Sequence, residues 1–421
     1  MYDQEGNRYI DGTSGSVLVS LGHAVPEMGD ALKKQSDQIS FAYRWDCVTP
    51  VLEEACRNVC EASRDDFSKV FLVSGGSEAT EIALKLVRKY FLNRGLPSKY
   101  KIISRWQSYH GSTMGAMSMT GFLARKRGYE PYTFEQGHVP PAYCYRCWFG
   151  KSCGNCNFEC AGMLENEILC QGPDSVAAFI LEPVSGMSLC GAYPNAGYFQ
   201  KIREICTKYD VLLVDDEVMA GMGRTGAYYA YQHFGIVPDV IALGKALAGG
   251  SFPIGAVACT KKIYDAILEN AAQFPPGYSW AGNPLGAAVI VKTFEILKKR
   301  KLVPAVKEKG KYLKDKLTGM AAKHPSVGDV RGIGLMIGME FVRDKATKQT
   351  FEPETAYAQQ LKDALLKEGM FLETSTGCDR GTRGDMAMIA PAFIVTYEEM
   401  DTIVEKLDRA LTVVEEANGL R

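Results

Sequence analysis

With 421 residues, 46% hydrophobic and 23% charged, the chain can bury a sizeable core and has the balance of a folded globular protein. A formal net charge of −1 leaves no electrostatic footprint for nucleic acid or an anionic membrane surface. No apolar run approaches the ~18 residues that span a bilayer, and the polar, acidic residues 1–6 are unlike a signal or transit peptide, so a cytoplasmic location is expected.

Residues 1–45 carry short strand-and-turn signals, such as residues 8–12, too few to form a domain alone. They are expected to pack with the C-terminal part or with a partner chain. From residue 46 to 295, apolar strand-like runs alternate with helical patterns. Residues 70–73 precede an amphipathic stretch with Ala79, Ile82, Ala83, Leu86 and Tyr90 on one face. Further strand-like runs are 101–104, 176–181, 211–214, 240–243 and 254–258. Short, almost continuously apolar strands joined by helical or long crossovers predict an α/β domain with a mainly parallel sheet covered on both faces. Residues 296–421 differ. Charged helical patterns over 304–324, 356–368 and 398–418 surround an alternating segment, 335–341, and predict a smaller antiparallel α+β domain. The boundary is placed within 285–300.

Five of the thirteen cysteines cluster with spacing C-x2-C-x5-C-x2-C-x3-C: Cys144, Cys147, Cys153, Cys156 and Cys160. Two C-x2-C pairs could bracket zinc, but five intervening residues is short for a zinc ribbon. The favoured reading is a tight loop of reduced thiols, with no metal.

Chemistry-bearing residues recur at strand ends. Ser74-Gly75-Gly76-Ser77 joins a strand to a helix, where glycines allow close approach and the helix N-terminus offers free N–H groups to an anion. Glu78 and Glu81 would repel a phosphate there unless they point away. Next come Tyr109-His110-Gly111 after one strand, Glu182-Pro183 after another, Asp215-Asp216-Glu217-Val218 after a third, and Lys245 after a fourth. Each has a plain structural explanation: an N-cap serine, a packed Tyr-His pair, a surface lysine. The ordered set points instead to pyridoxal phosphate (PLP). A lysine forms the Schiff base, and an acid keeps the pyridine nitrogen protonated so that the ring acts as an electron sink.

These runs, together with Gly223-Arg224-Thr225-Gly226, Pro253-Ile254-Gly255-Ala256, Gly282-Asn283-Pro284 and Arg331-Gly332, resemble the class III (ω-) aminotransferases of PLP fold type I over nearly the whole chain. The resemblance implies a seven-stranded, mainly parallel sheet and a homodimer with shared active sites. It implies PLP held by Lys245, with Asp216 at the pyridine nitrogen, Val218 behind the ring and Tyr109 in front. Gly76 and Ser77 would bind the phosphate, and His110 and Glu182 would complete the cofactor set. Ser279 stands where the family usually has a threonine that reaches the phosphate of the other subunit. The implied reaction is ping-pong transfer from an amine or ω-amino acid to a keto acid; racemases, epimerases and aminomutases share the same constellation.

Departures from the family pattern also carry information. The chain starts short relative to the family. Met388 occupies the position of an arginine that, in the branch using ornithine, acetylornithine or 4-aminobutyrate, salt-bridges the residue matching Glu182. Methionine cannot replace a bidentate clamp, so pyruvate is the expected acceptor rather than 2-oxoglutarate. Residues 376–382 are an insertion before Arg383-Gly384-Asp385, resembling the ω-amino acid and amine:pyruvate branch, in which a mobile arginine near this Gly-Asp binds the carboxylate. Arg383 is the candidate, with Arg380 behind it. Residues 16–19, 41–45 and Trp148 are expected to wall the substrate pocket, and the amino donor is left open.

Overall fold

The computed structural model describes residues 1–269, 274 and 277–421. Thirteen strands occur among the described residues: β1 Ile10–Asp11, β2 Lys69–Val73, β3 Lys101–Arg105, β4 Gly137–Val139, β5 Val176–Leu181, β6 Leu212–Asp216, β7 Val240–Leu243, β8 Gly255–Cys259, β9 Val327–Ile333, β10 Met336–Phe341, β11 Met370–Phe371, β12 Glu373–Asp379 and β13 Arg383–Ile389. Seven form one sheet in the order β2-β8-β7-β6-β5-β3-β4. Only β8 runs against its neighbours; the others are parallel.

The apolar runs explain this arrangement. Every residue of β5, β6, β7 and β8 is buried. Alternate side chains enter two separate cores. Ile103, Phe179, Leu213 and Ile241 face one, while Ile102, Ile180, Leu212 and Val240 face the other with the helix Gly76–Asn93. A strand apolar at every position needs cover on both sides, and crossover helices supply it. Because β2, β3, β5, β6 and β7 are parallel, their carboxyl ends share one edge of the sheet, where ligands bind in such folds.

A second sheet is antiparallel throughout, in the order β12-β13-β10-β9. The helices Leu302–Ala321, Tyr357–Lys367 and Tyr397–Ala417 pack around it. The N-terminal segment is stitched to this part of the chain. β1 pairs with β11, Thr13 Oγ donates to the Met388 carbonyl at 3.0 Å, and Ser14 Oγ donates to the Ala390 carbonyl at 2.6 Å. The expected boundary region is one helix, Pro284–Lys299, packed against the helices Pro26–Gln38 and Pro50–Ala62.

Arg224 ties the loop after β6 to the second sheet. It is fully buried, and its guanidinium donates to the carbonyls of Leu335, Ala390 and Pro391 and lies over the Phe393 ring. Burial pushes its pKa down to about 9.

Gly255 couples sheet to turn. It pairs with Val73, and a Cβ there would sit 2.6 Å from the Gly75 carbonyl carbon, inside a backbone that cannot yield cheaply. Gly255→Ala should therefore cost about 1–3 kcal/mol of stability, the range for overpacking. Urea unfolding measures this; a variant as stable as the parent would show that the β2 turn can shift freely.

Candidate active site

The carboxyl edge of the seven-stranded sheet opens into a cavity of about 310 Å³. Gly76, Ser77, Tyr109, His110, Glu182, Asp216, Val218 and Lys245 all line it. Five separate strand ends therefore converge on one space.

Lys245 follows β7 with a left-handed backbone, φ +44°, a conformation costing of order 1–2 kcal/mol for an L side chain. Its amine donates to the Ser16 carbonyl at 3.0 Å. Burial holds the ammonium below the usual lysine range, while Glu373, Asp216 and Glu182 oppose that shift. Val218 fills the gap between two glycine backbones. A Cβ on Gly76 would lie 2.6 Å from Val218 Cγ1, and one on Gly244 would lie 3.2 Å from it.

Asp216 is nearly buried and keeps one face to the cavity. Its Oδ2 is hydrogen-bonded to His110 Nδ1 at 2.8 Å, and its Oδ1 accepts the Val218 N–H at 3.1 Å. His110 Nε2 has no partner among the described residues. Asp215 points the other way, as consecutive strand residues must. It is fully buried, neither oxygen has a partner among the described residues, and burial pushes its pKa up to about 8.

The helix Gly76–Asn93 aims its N-terminus at the cavity. Beside it, Ser77 Oγ accepts the Ser112 N–H at 3.1 Å, and Gly111 has φ +135°, with room for no Cβ next to that hydroxyl. The acids that would repel an anion are turned away. Glu78 accepts the Ser74 N–H at 2.8 Å, and Glu81 accepts Thr113 Oγ at 2.6 Å and the Ala116 N–H at 3.1 Å. Glu182 accepts the N–H groups of Tyr109 at 3.0 Å and Gly186 at 2.6 Å and the Ser188 hydroxyl at 3.4 Å, and burial raises its pKa. An amine, a facing carboxylate, an anion cradle and an aromatic wall of this size fit a phosphorylated pyridine.

Two expected residues lie elsewhere. Ser279 is exposed and does not line the cavity. Arg383 does not line it either. It borders a neighbouring cleft, pairs with Glu352 at 2.9 Å, and both side chains are about half exposed. The arginine opens β13 on a hairpin whose register shifts between Thr376 and Asp379. Arg380 lies over Trp148, 4.3 Å from the ring.

The sequence reading missed two charged lining residues, Arg125 and Glu373. Arg125 sits on the short helix Leu123–Lys126 and borders both the cavity and the neighbouring cleft, and its side chain makes no ion pair or hydrogen bond with the described residues. Nothing in the pattern of either segment marked them. The five clustered cysteines are free thiols, with Cys144 pushed up to about 12 by burial and by Cys153 beside it. Among the described residues, no group of three or more His, Cys, Asp or Glu is placed to hold a metal.

Comparison with known proteins bears on the same residues. The family model "Aminotransferase class-III" matches residues 1–411. The taurine–pyruvate aminotransferase of Bilophila wadsworthia is 34% identical over 99% of this chain and 91% of its own length. The diaminobutyrate–2-oxoglutarate transaminase of Halomonas elongata is 33% identical over 99% and 88%. The ω-transaminase of Pseudomonas jessenii, solved in complex with PMP, superposes with a TM-score of 0.91 at 30% identity, covering 99% of this chain and 91% of that one. A fold of type I, a cavity at its sheet edge lined by a half-buried lysine and a buried acid, and a match over almost its full length place the chain in the class III aminotransferase family.

Proposed function

We propose that the protein is a PLP-dependent aminotransferase working by a ping-pong cycle, in which an amine or ω-amino acid gives its amino group and pyruvate takes it. The observation that carries this reading is Lys245 and Asp216 facing one cavity from adjacent strands β7 and β6.

When bound, the cofactor supplies an electron sink for the charge developing at the donor carbon. The rest of the work falls to the chain. Lys245 Nζ holds the cofactor and then moves the proton at the donor carbon; a lysine kept below its usual pKa by burial is available as a base. The Asp216 carboxylate, steadied by His110 and the Val218 N–H, holds the proton on the ring nitrogen. Gly76, Ser77 and the helix N-terminus bind the phosphate, while Val218 and Tyr109 flank the ring. Glu182 positions Tyr109 through its backbone N–H.

Ser279 serves the partner's site in a homodimer. Its exposure within a surface that also presents Phe41, Tyr43, Trp45 and Trp280, each about half exposed, supports this arrangement. No described helix is long and apolar enough to cross a membrane, and we assign the enzyme to the cytoplasm with small-molecule substrates.

The carboxylate of the acceptor falls to Arg125 rather than Arg383, because Arg125 lines the cavity and is unpaired. Pyruvate is favoured over 2-oxoglutarate because Glu182 is satisfied by backbone and serine donors, and Met388 is buried within β13 where an arginine clamp would be needed.

Steady-state assays with a panel of amines test this, with pyruvate and 2-oxoglutarate compared while the cofactor spectrum is followed. Pyruvate should be preferred, and Arg125→Ala should raise its apparent KM by about 1–2 kcal/mol, roughly five- to thirtyfold, a charged hydrogen bond discounted for exposure. Arg383→Ala should change little. The opposite pattern for the two arginines would return the role to Arg383, and turnover without any keto acid would mean a racemase or mutase.

The two neighbouring aspartates give a second test. Asp216→Asn should lose at least ~100-fold in rate, about 2.7 kcal/mol of barrier. Asp215→Asn should keep near-parental activity. Its effect is on stability: the folded pKa of Asp215 lies above its ordinary 3.8, so its contribution is present below pH ~4 and lost as pH rises to about 8. Thermal melts should therefore show a flatter decline over that window in Asp215→Asn. Equal rate losses in both variants would contradict the assignment.

A further inference from the structure

The cavity holds more charge than the cofactor chemistry uses. On the aminotransferase reading, on which this inference rests, Lys245 and Asp216 are engaged by the cofactor, and Glu182 is satisfied by N–H groups and a serine hydroxyl. Two charged lining residues remain, Arg125 and Glu373.

Glu373 opens β12, and its backbone N–H is fixed on Thr13 Oγ at 2.9 Å. Its half-buried carboxylate accepts one hydroxyl, that of Ser16, at 3.0 and 3.2 Å to its two oxygens. The carbonyl of the same Ser16 accepts Lys245 Nζ at 3.0 Å. One residue thus bridges Glu373 to the reacting amine, and Glu373 is the strongest charged influence on Lys245. Once the cofactor engages that amine, the carboxylate keeps only a neutral donor. A carboxylate facing a cavity in that state attracts a cation.

A ping-pong cycle brings two unlike substrates into the same space in turn. Arg125 offers a pole for the acceptor's carboxylate, and Glu373 offers the opposite pole. We propose that Glu373 is the specificity residue for the amino donor, binding a second positively charged nitrogen, so that preferred donors are short alkyl diamines and other amines carrying a further ammonium group. Monoamines of the same length would place a methyl group against the carboxylate and leave it desolvated with only the Ser16 hydroxyl to answer its charge.

The test uses the cofactor-loaded enzyme with 1,3-diaminopropane, 1,4-diaminobutane and 1,5-diaminopentane. Each is paired with the monoamine in which methyl replaces the second ammonium. Following the cofactor spectrum through the donor half-reaction gives a limiting rate and an apparent Kd for each amine. The best diamine should bind on the order of ten- to a hundredfold more tightly than its monoamine, the range of a charge-assisted hydrogen bond. Glu373→Gln should remove that preference by weakening the diamine's binding, leaving the monoamine's apparent Kd little changed. Calorimetric titration into the cofactor-loaded Lys245→Ala variant should show the same preference without turnover. Equal affinities for diamine and monoamine in the parent enzyme overturn the inference while leaving the aminotransferase reading intact. A Glu373→Gln variant slowed equally with every donor would make Glu373 a positioning residue for Lys245 and also overturn it. If no amine of either kind changes the cofactor spectrum, the aminotransferase reading fails and this inference falls with it.

Discussion

An ammonium group buried in a protein cavity has lost most of its hydration and must be answered by neighbouring charge or else give up its proton. Lys245 is in this position. Its amine is directed onto the Ser16 carbonyl, its backbone is held in a left-handed conformation, and three carboxylates stand near enough to oppose the loss of its proton. Much of the surrounding architecture serves this one group. β6 and β7 bring Asp216 beside it, β5 delivers Glu182, and the small antiparallel sheet supplies Glu373. The N-terminal segment closes the arrangement by placing Ser16 between lysine and glutamate, which is why it is anchored so thoroughly to β11 and β13.

The second constraint is space. Strand ends converge closely enough that Val218 fits only because Gly76 and Gly244 have no side chains, and Ser77 keeps a free approach only because Gly111 has none. The same compression reaches the turn above β2 through Gly255. Electrostatics follow the packing. Glu78 and Glu81, which might have opposed an anion at the helix N-terminus, are drawn off by Ser74, Thr113 and Ala116. Asp215, a single residue from Asp216, faces the opposite side of the sheet, where burial pushes its pKa up to about 8.

These contrasts explain what could be read from the sequence. A strand buried on both faces must be apolar at every position, so β5, β6, β7 and β8 were legible within a residue or two. Parallel order then put Gly76, Tyr109, Glu182, Asp216 and Lys245 on one edge. Less legible were features that depend on which way a side chain turns in irregular or polar backbone. β4 is only three residues long, with His138 at its centre, and carries little pattern. Arg383 belongs to a hairpin whose register slips, so spacing from Gly384-Asp385 did not determine its direction. Glu373 begins the run Glu-Thr-Ser-Thr, where no hydrophobic alternation marks a face. Arg125 sits on a one-turn helix outside every strand end. Substrate selectivity rests on these last residues, whereas the cofactor site rests on the regular ones.

The central claim is that Lys245 holds the cofactor. Borohydride reduction of the cofactor-loaded protein, followed by proteolysis and mass spectrometry, tests it most directly, because reduction makes the attachment permanent. A single pyridoxyl-modified peptide containing Lys245 is expected, absent from the Lys245→Ala variant. Modification of another lysine at full activity, or an active protein with no reducible attachment, would contradict it.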